Sequence, residues 1–123
     1  MMSSPQAVKD DLLLEIGALE HEVFCVLFLD ARHRIIKLKQ MFRGMVTQTS
    51  VYPREVVKAA LVCSSAAVVL AHNHPSGSVE PSRADGFLSQ TLKSALALVV
   101  VRVLDHLVVA GADVCDFSER GLP

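Results

Sequence analysis

A mixed α/β fold (α+β), with about three helices flanking a curved sheet, is what this sequence predicts, and three observations carry the expectation. Segments whose apolar residues recur at three- and four-residue spacing alternate along the chain with β-branched and aromatic runs. One run, Ala66 to Ala71, is continuously apolar and reads as a strand buried on both faces. Hydrophobic residues make up 51% of 123 residues, enough to build one core and hence a single domain over 1–123.

Each element follows from local chemistry. Ser4-Pro5 opens a helix, a cap followed by a proline in the first turn, and Val8, Leu12, Ile16 and Leu19 continue it at helical spacing. Gly17 and the run Glu20-His21-Glu22 interrupt that pattern before a strand at 23–29. Asp30 to His33 turns the chain into a second strand, Arg34 to Arg43, and Gly44 breaks it before a shorter run from Val46 to Thr49, so a meander is expected. Tyr52-Pro53 opens a second helix in which Val56, Val57, Ala60 and Leu61 are apolar while Arg54, Glu55 and Lys58 face water. After the 66–71 strand comes a loop rich in Pro, Gly and Ser, and Ser82 starts a third helix. Its core-facing stripe is expected to be Ala84, Phe87, Leu88, Thr91, Leu92, Ala95 and Leu96, with Asp85 on the flank. From Val99 onward the residues are β-branched enough to predict a strand, and Gly111 to Asp113 turns into a last one, Val114 to Phe117.

Composition excludes several classes of function. No apolar stretch of membrane-spanning length is free of charge or histidine, and no basic segment precedes a hydrophobic one at the start, so no membrane association and a cytoplasmic location are expected. Cys25, Cys63 and Cys115 lie far apart without a Cys-x-x-Cys pair, which points to reduced thiols rather than disulfides or a cysteine metal site. A net charge of -1 supplies no field to gather phosphates, so direct nucleic-acid binding is disfavoured. Arg32, Arg34, Lys37, Lys39 and Arg43 crowd the first hairpin, and strand alternation puts Lys37, Lys39 and Arg43 on one face. Few aromatics interleave with them for base stacking, so an ordinary solvated face is expected there.

The chemistry concentrates in His72-Asn73-His74-Pro75 and Ser82-Arg83-Ala84-Asp85. At a strand exit residues i and i+2 point the same way, so His72 and His74 can clamp one ion while Asn73 faces elsewhere. Hydrolytic zinc takes three protein ligands, such as two His and a carboxylate, and leaves a position for water, whose pKa falls to about 7. Asp85, in the first turn of the third helix, can look back at the two rings. Ser82-x-x-Asp85 is equally a capping-box variant, in which hydroxyl and carboxylate each bond the other residue's amide. For a general base, Glu15, Glu20, Glu22, Glu55 and Glu80 are all candidates, and spacing selects none of them.

His72-x-His74, seven residues, Ser82, two residues and Asp85 resemble the JAMM metalloprotease motif of the JAB1/MPN superfamily. Within it, the His-Asn-His-Pro-Ser-Gly run, Pro81 to Asp85, Val51 to Val56 and Leu104-Asp105-His106 are similar to the bacterial RadC-like branch, over about Pro5 to Leu122. The resemblance implies the MPN fold and Zn2+ held by His72, His74 and Asp85. It also implies Ser82 at the developing oxyanion, and a glutamate just ahead of the first long apolar strand as base, which matches Glu22, with Glu20 in reserve. The reaction implied is hydrolysis of a peptide or isopeptide bond in a protein or peptide substrate. Longer RadC-like proteins resemble this chain only in their C-terminal part and carry an N-terminal helix-hairpin-helix region that it lacks. An excised domain or a short member is therefore expected, and the family's DNA-repair name transfers poorly.

Two rivals differ in kind. The letters His-Asn-His suggest a nuclease, but in HNH nucleases those residues are spread over a ββα module and accompany phosphate-binding residues absent here. A catalytically silent metal-binding interaction module would keep fold and ion, although every motif position is filled. His106 suits a hydrogen-bonding role behind the ligands better than ligation itself. Neither the substrate nor the oligomeric state has a signature in the sequence.

Overall fold

The computed structural model describes residues 4–43 and 51–118. Its elements are α1 (Pro5–Ile16), β1 (Val23–Leu29), β2 (Ile35–Arg43), α2 (Pro53–Val62), β3 (Ala67–Asn73), α3 (Arg83–Ala97), β4 (Arg102–Ala110) and β5 (Asp113–Asp116). The strands form one sheet in the order β2-β1-β3-β4-β5. β1 is antiparallel to β2 and β3, β3 and β4 are parallel, and β5 returns antiparallel to β4. A parallel pair needs a crossover, and α3 supplies it between β3 and β4. The sheet is thus mixed, as expected, and its two central strands β1 and β3 are buried at every position.

Strand alternation divides the core into two layers. Val23, Cys25, Leu27 and Leu29 of β1 join Val69, Ala71, Leu107 and Val109 under α1, which contributes Val8, Leu12 and Ile16. Phe24, Val26 and Phe28 face the other way with Val68 and Leu70, covered by Val56 and Ala60 of α2 and Leu88, Leu92 and Leu96 of α3. Truncating a wholly buried leucine such as Leu12 or Leu92 to alanine costs about 2–5 kcal/mol, so each layer carries a large share of the stability. His72 belongs to the α3 side and Asn73, one residue on, to the α1 side.

Three local expectations are corrected. The buried stripe of α3 is Asp85, Leu88, Ser89, Leu92 and Leu96, while Phe87 is 59% exposed and Ala84 lies in solvent. The helix is rotated because Asp85 finds partners inside, which offsets the burial of a carboxylate. On β2, the register against β1 slips between Phe24/Cys25 and between Phe28/Leu29. The first slip, at Met41, turns Arg43 to the α1 face beside Val23, while Lys37 and Lys39 stay opposite Phe28 and Val26 on the other. The shared basic face is therefore divided. Finally, the strand expected from Val99 begins at Arg102. Before it, Val101 N–H bonds the Leu96 carbonyl at 3.0 Å and Val100 N–H bonds Ala97 at 3.1 Å, a Schellman ending whose left-handed residue, usually glycine, is Val100 at φ 59°. The run expected from Val46 to Thr49 lies outside the described residues. No helix among the described residues is long and apolar enough to cross a membrane.

Candidate metal centre

The site forms where β3 ends. Phe24 pairs with His72 in the β1/β3 register, and their rings stack at 6.4 Å between centroids. His72 Nε2 lies 3.0 Å from His74 Nε2 and 2.9 Å from Asp85 Oδ1, and His74 Nε2 lies 3.3 Å from Asp85 Oδ2. Donors bound about 2.0–2.1 Å from one tetrahedral ion stand roughly 3.3 Å apart, so the three groups are already spaced as such an ion requires. His72 is 1% exposed and Asp85 6%, while His74 is half-buried and opens the site to solvent.

The hydrogen bonds behind the rings decide what they offer. His74 Nδ1 donates to the carbonyl of Ser78 at 2.8 Å; a carbonyl can only accept, so the proton of the neutral ring is held there and Nε2 presents its lone pair. His72 Nδ1 lies 2.9 Å from Nε2 of His106. Asp85 adds acceptors only, and Asp85 Oδ2 also accepts the Ser82 amide at 2.7 Å. Burial alone would push the Asp85 carboxyl up, but the hydrogen bond and charge of His72, with the Ser82 contacts, outweigh it and hold the carboxyl well below the usual range. Two ring nitrogens and a carboxylate oxygen converge on one point, which is the donor set a cation can use. Among the described residues His72, His74 and Asp85 are the group that can hold a metal ion.

The comparisons with known proteins agree. The profile of the RadC-like JAB domain matches residues 2–122. The chain belongs to the RadC-like JAB domain family. It is 64% identical over 122 residues to a UPF0758 protein of Leptothrix cholodnii, covering 99% of this chain and 55% of that one. It is 62% identical to a UPF0758 protein of a Polaromonas species, with 99% and 54% covered. A third, from Nitrosomonas eutropha, is 58% identical with the same coverage of 99% and 54%. The chain thus spans about half the length of the curated relatives it matches.

The RadC-like JAB domain distributes the remaining candidates unevenly. Glu22 is half-buried immediately before β1, whereas Glu20 is exposed. Glu22 stands two residues before Phe24 and His74 two residues after His72, the pair at which regular β1/β3 pairing ends. Glu15 and Glu55 lie on exposed faces of α1 and α2, and Glu80 is exposed in the loop before α3. Ser82 is the N-cap of α3: its Oγ accepts from the Asp85 amide at 3.0 Å while its own amide donates to Asp85, the full capping box. The cap therefore aims the ligand. It uses one lone pair of the Ser82 hydroxyl.

His106, expected behind the ligands, is there. It is 1% exposed, wedged with its ring stacked on Phe117 at 4.5 Å and edge-on to Phe24 at 6.1 Å. Burial first, and the neighbouring His72 second, hold its pKa down at about 3, so the ring is neutral near pH 7. With an ion on His72 Nε2, the His106 Nε2 would accept from His72 Nδ1–H and hold that tautomer. The orphaned His106 Nδ1, with no hydrogen-bond partner among the described residues, is the cost of that arrangement, on the order of 1–3 kcal/mol. The Ser78 carbonyl and the side chain of Asn73 are the supports that sequence reasoning missed. The loop length after His74 was the one signal for the former.

Proposed function

We propose that this chain is a zinc-dependent metallohydrolase of the JAMM type, a peptidase or isopeptidase acting on a protein or peptide. The observation that carries the reading is the convergence of His72 Nε2, His74 Nε2 and an Asp85 carboxylate, with each ring's other nitrogen engaged behind it. Zn2+ held there would supply Lewis acidity, lowering the pKa of a water and polarising the scissile carbonyl. The remaining work falls to side chains. Glu22 takes the proton of the attacking water and returns it to the leaving nitrogen. Ser82, which accepts the Asp85 amide at the cap, donates its hydroxyl proton to the oxygen that gains charge. Asp85 is oriented by the Ser82 amide, which donates to its Oδ2. The buried α3 side of the sheet keeps bulk water from the back of the rings, which strengthens every polar contact in front.

A cleavage screen of a quenched peptide library with zinc-loaded protein, and with Glu22→Gln in parallel, tests this. Wild type is expected to cut a subset of peptides, and Glu22→Gln to keep its zinc yet lose about 10²- to 10⁴-fold in rate. Equal turnover by the variant removes Glu22 from its role. No cleavage of peptides or isopeptide-linked conjugates by the loaded protein contradicts the peptidase reading.

A further inference from the structure

The residue between the two histidines has its own task. Asn73 is 2% exposed and turns to the opposite side of β3 from His72 and His74. Its Oδ1 accepts from the amide of Val23 at 2.7 Å, and its Nδ2 donates to the carbonyl of His21 at 2.9 Å. Those two backbone groups flank a single residue, Glu22.

We infer that Asn73 is a positioning residue that fixes the backbone on both sides of Glu22 and so aims the carboxylate at the metal centre. The inference rests on the reading of Glu22 as the base. In an extended strand the C=O of residue i−1 and the N–H of residue i+1 point to the same edge, where a neighbouring strand would normally satisfy both. Here regular β1/β3 pairing ends at Phe24 and His72, two residues short of Glu22. The side-chain amide of Asn73 takes over as a substitute peptide group, offering one acceptor and one donor in a single plane. Of the common side chains only Asn and Gln present that pair, and Gln is a methylene too long for this span.

The same residue is anchored through its main chain. Asn73 pairs with Val109 of β4, and the next amide, that of His74, donates to the Val109 carbonyl at 2.8 Å. One rigid stretch of β3 therefore carries two ligands on one face and the hold on the base on the other. Metal and base are kept in register by consecutive residues instead of by a loop that could drift, and a misplacement of about 1 Å at such a site costs on the order of 10²-fold in rate.

The test uses the whole chain with Asn73→Ala, the nearly isosteric Asn73→Asp, Glu22→Gln and the double variant Asn73→Ala/Glu22→Gln. Amide exchange by NMR reads the hold itself: Val23 should exchange about 10-fold faster in Asn73→Ala, the scale of one lost buried hydrogen bond. Where Asn73→Ala fails to fold, Asn73→Asp, which keeps the Val23 acceptor and loses the donor to His21, should protect Val23 while freeing Glu22. The visible spectrum of the Co2+-loaded protein reads the consequence without any substrate. Asn73→Ala should shift the bands in the same direction as Glu22→Gln and add nothing in the double variant, while Co2+ stoichiometry stays unchanged. Turnover of a quenched peptide should follow the same non-additive pattern. Unchanged Val23 exchange, or an Asn73→Ala effect that adds in full to that of Glu22→Gln, overturns the inference and leaves the base intact. A Glu22→Gln variant that matches wild type in spectrum and rate overturns the base reading instead.

Discussion

Two neighbouring residues of β4 open onto opposite faces of the sheet, and the polar clusters around them behave in opposite ways. His106 faces α3 and stands behind His72, where three potential ligand atoms crowd together. Asp105 faces α1 and borders a cavity of about 420 Å³ with Lys9, His33, Asp116 and Ser118. There the acceptors already have donors. Asp105 Oδ1 accepts from the amides of His106 at 2.8 Å and Ser118 at 3.1 Å, and Asp116 is bridged to Lys9 at 3.2 Å. Burial first, and the adjacent Asp116 second, push the Asp105 pKa up to about 6, so below that pH this pair of carboxyls shares a proton. What marks the candidate metal centre is the convergence of three potential ligand atoms, and cavity size does not report that.

Breaking the support of His72 should have the largest effect. His106→Leu removes the acceptor for His72 Nδ1 and is expected to weaken Zn2+ binding by about 10- to 100-fold in a chelator competition, with secondary structure unchanged by circular dichroism. An affinity equal to wild type would show that the ring orientation is held by packing alone. Ser82→Ala separates the cap from the chemistry: melts should show a loss of about 1 kcal/mol, and kcat should fall by about 10²-fold beyond it. A stability loss with unaltered kcat would reduce Ser82 to its cap.

The smallest effect is the sharpest on the contrast between faces, because the two carboxylates have opposite signs. The Asp105 pKa is about 6 in the folded protein against about 3.9 unfolded, so the folded state holds a proton that the unfolded chain has already lost. Its contribution to stability is full below about pH 4 and declines as pH rises through about 6. Asp85 is depressed, so its contribution is present above about pH 3.9 and is lost as pH falls. Subtracting the stability of Asp105→Asn from that of wild type, by urea melts of metal-free protein, should leave a difference that falls between pH 4 and pH 6. A difference that rises over that range contradicts the shared proton.

The grouping of the three candidate ligands was legible because alternation and a helix start are local properties: His72 and His74 are two residues apart at the end of β3, and Asp85 sits in the first turn of α3 behind a cap. The layered fold was legible for the same reason, from the apolar runs of β1 and β3. What stayed hidden depends on register. The bulge at Met41 that turns Arg43 to the other face has no signature in an alternating pattern. Asp85 looked like a flank residue because a carboxylate counts as core only once its partners are known. The partnership of His72 with His106 spans 34 residues, and that of Asn73 with Val23 spans 50; each is set by which strands pair and in what register.

The most direct measurement is the metal content of protein incubated with Zn2+ and then desalted, for wild type and for the double variant His72→Ala/His74→Ala. One zinc per chain in wild type and none in the folded double variant is the predicted result. Zinc retained at one per chain after both rings are gone would place the ion elsewhere and contradict the account.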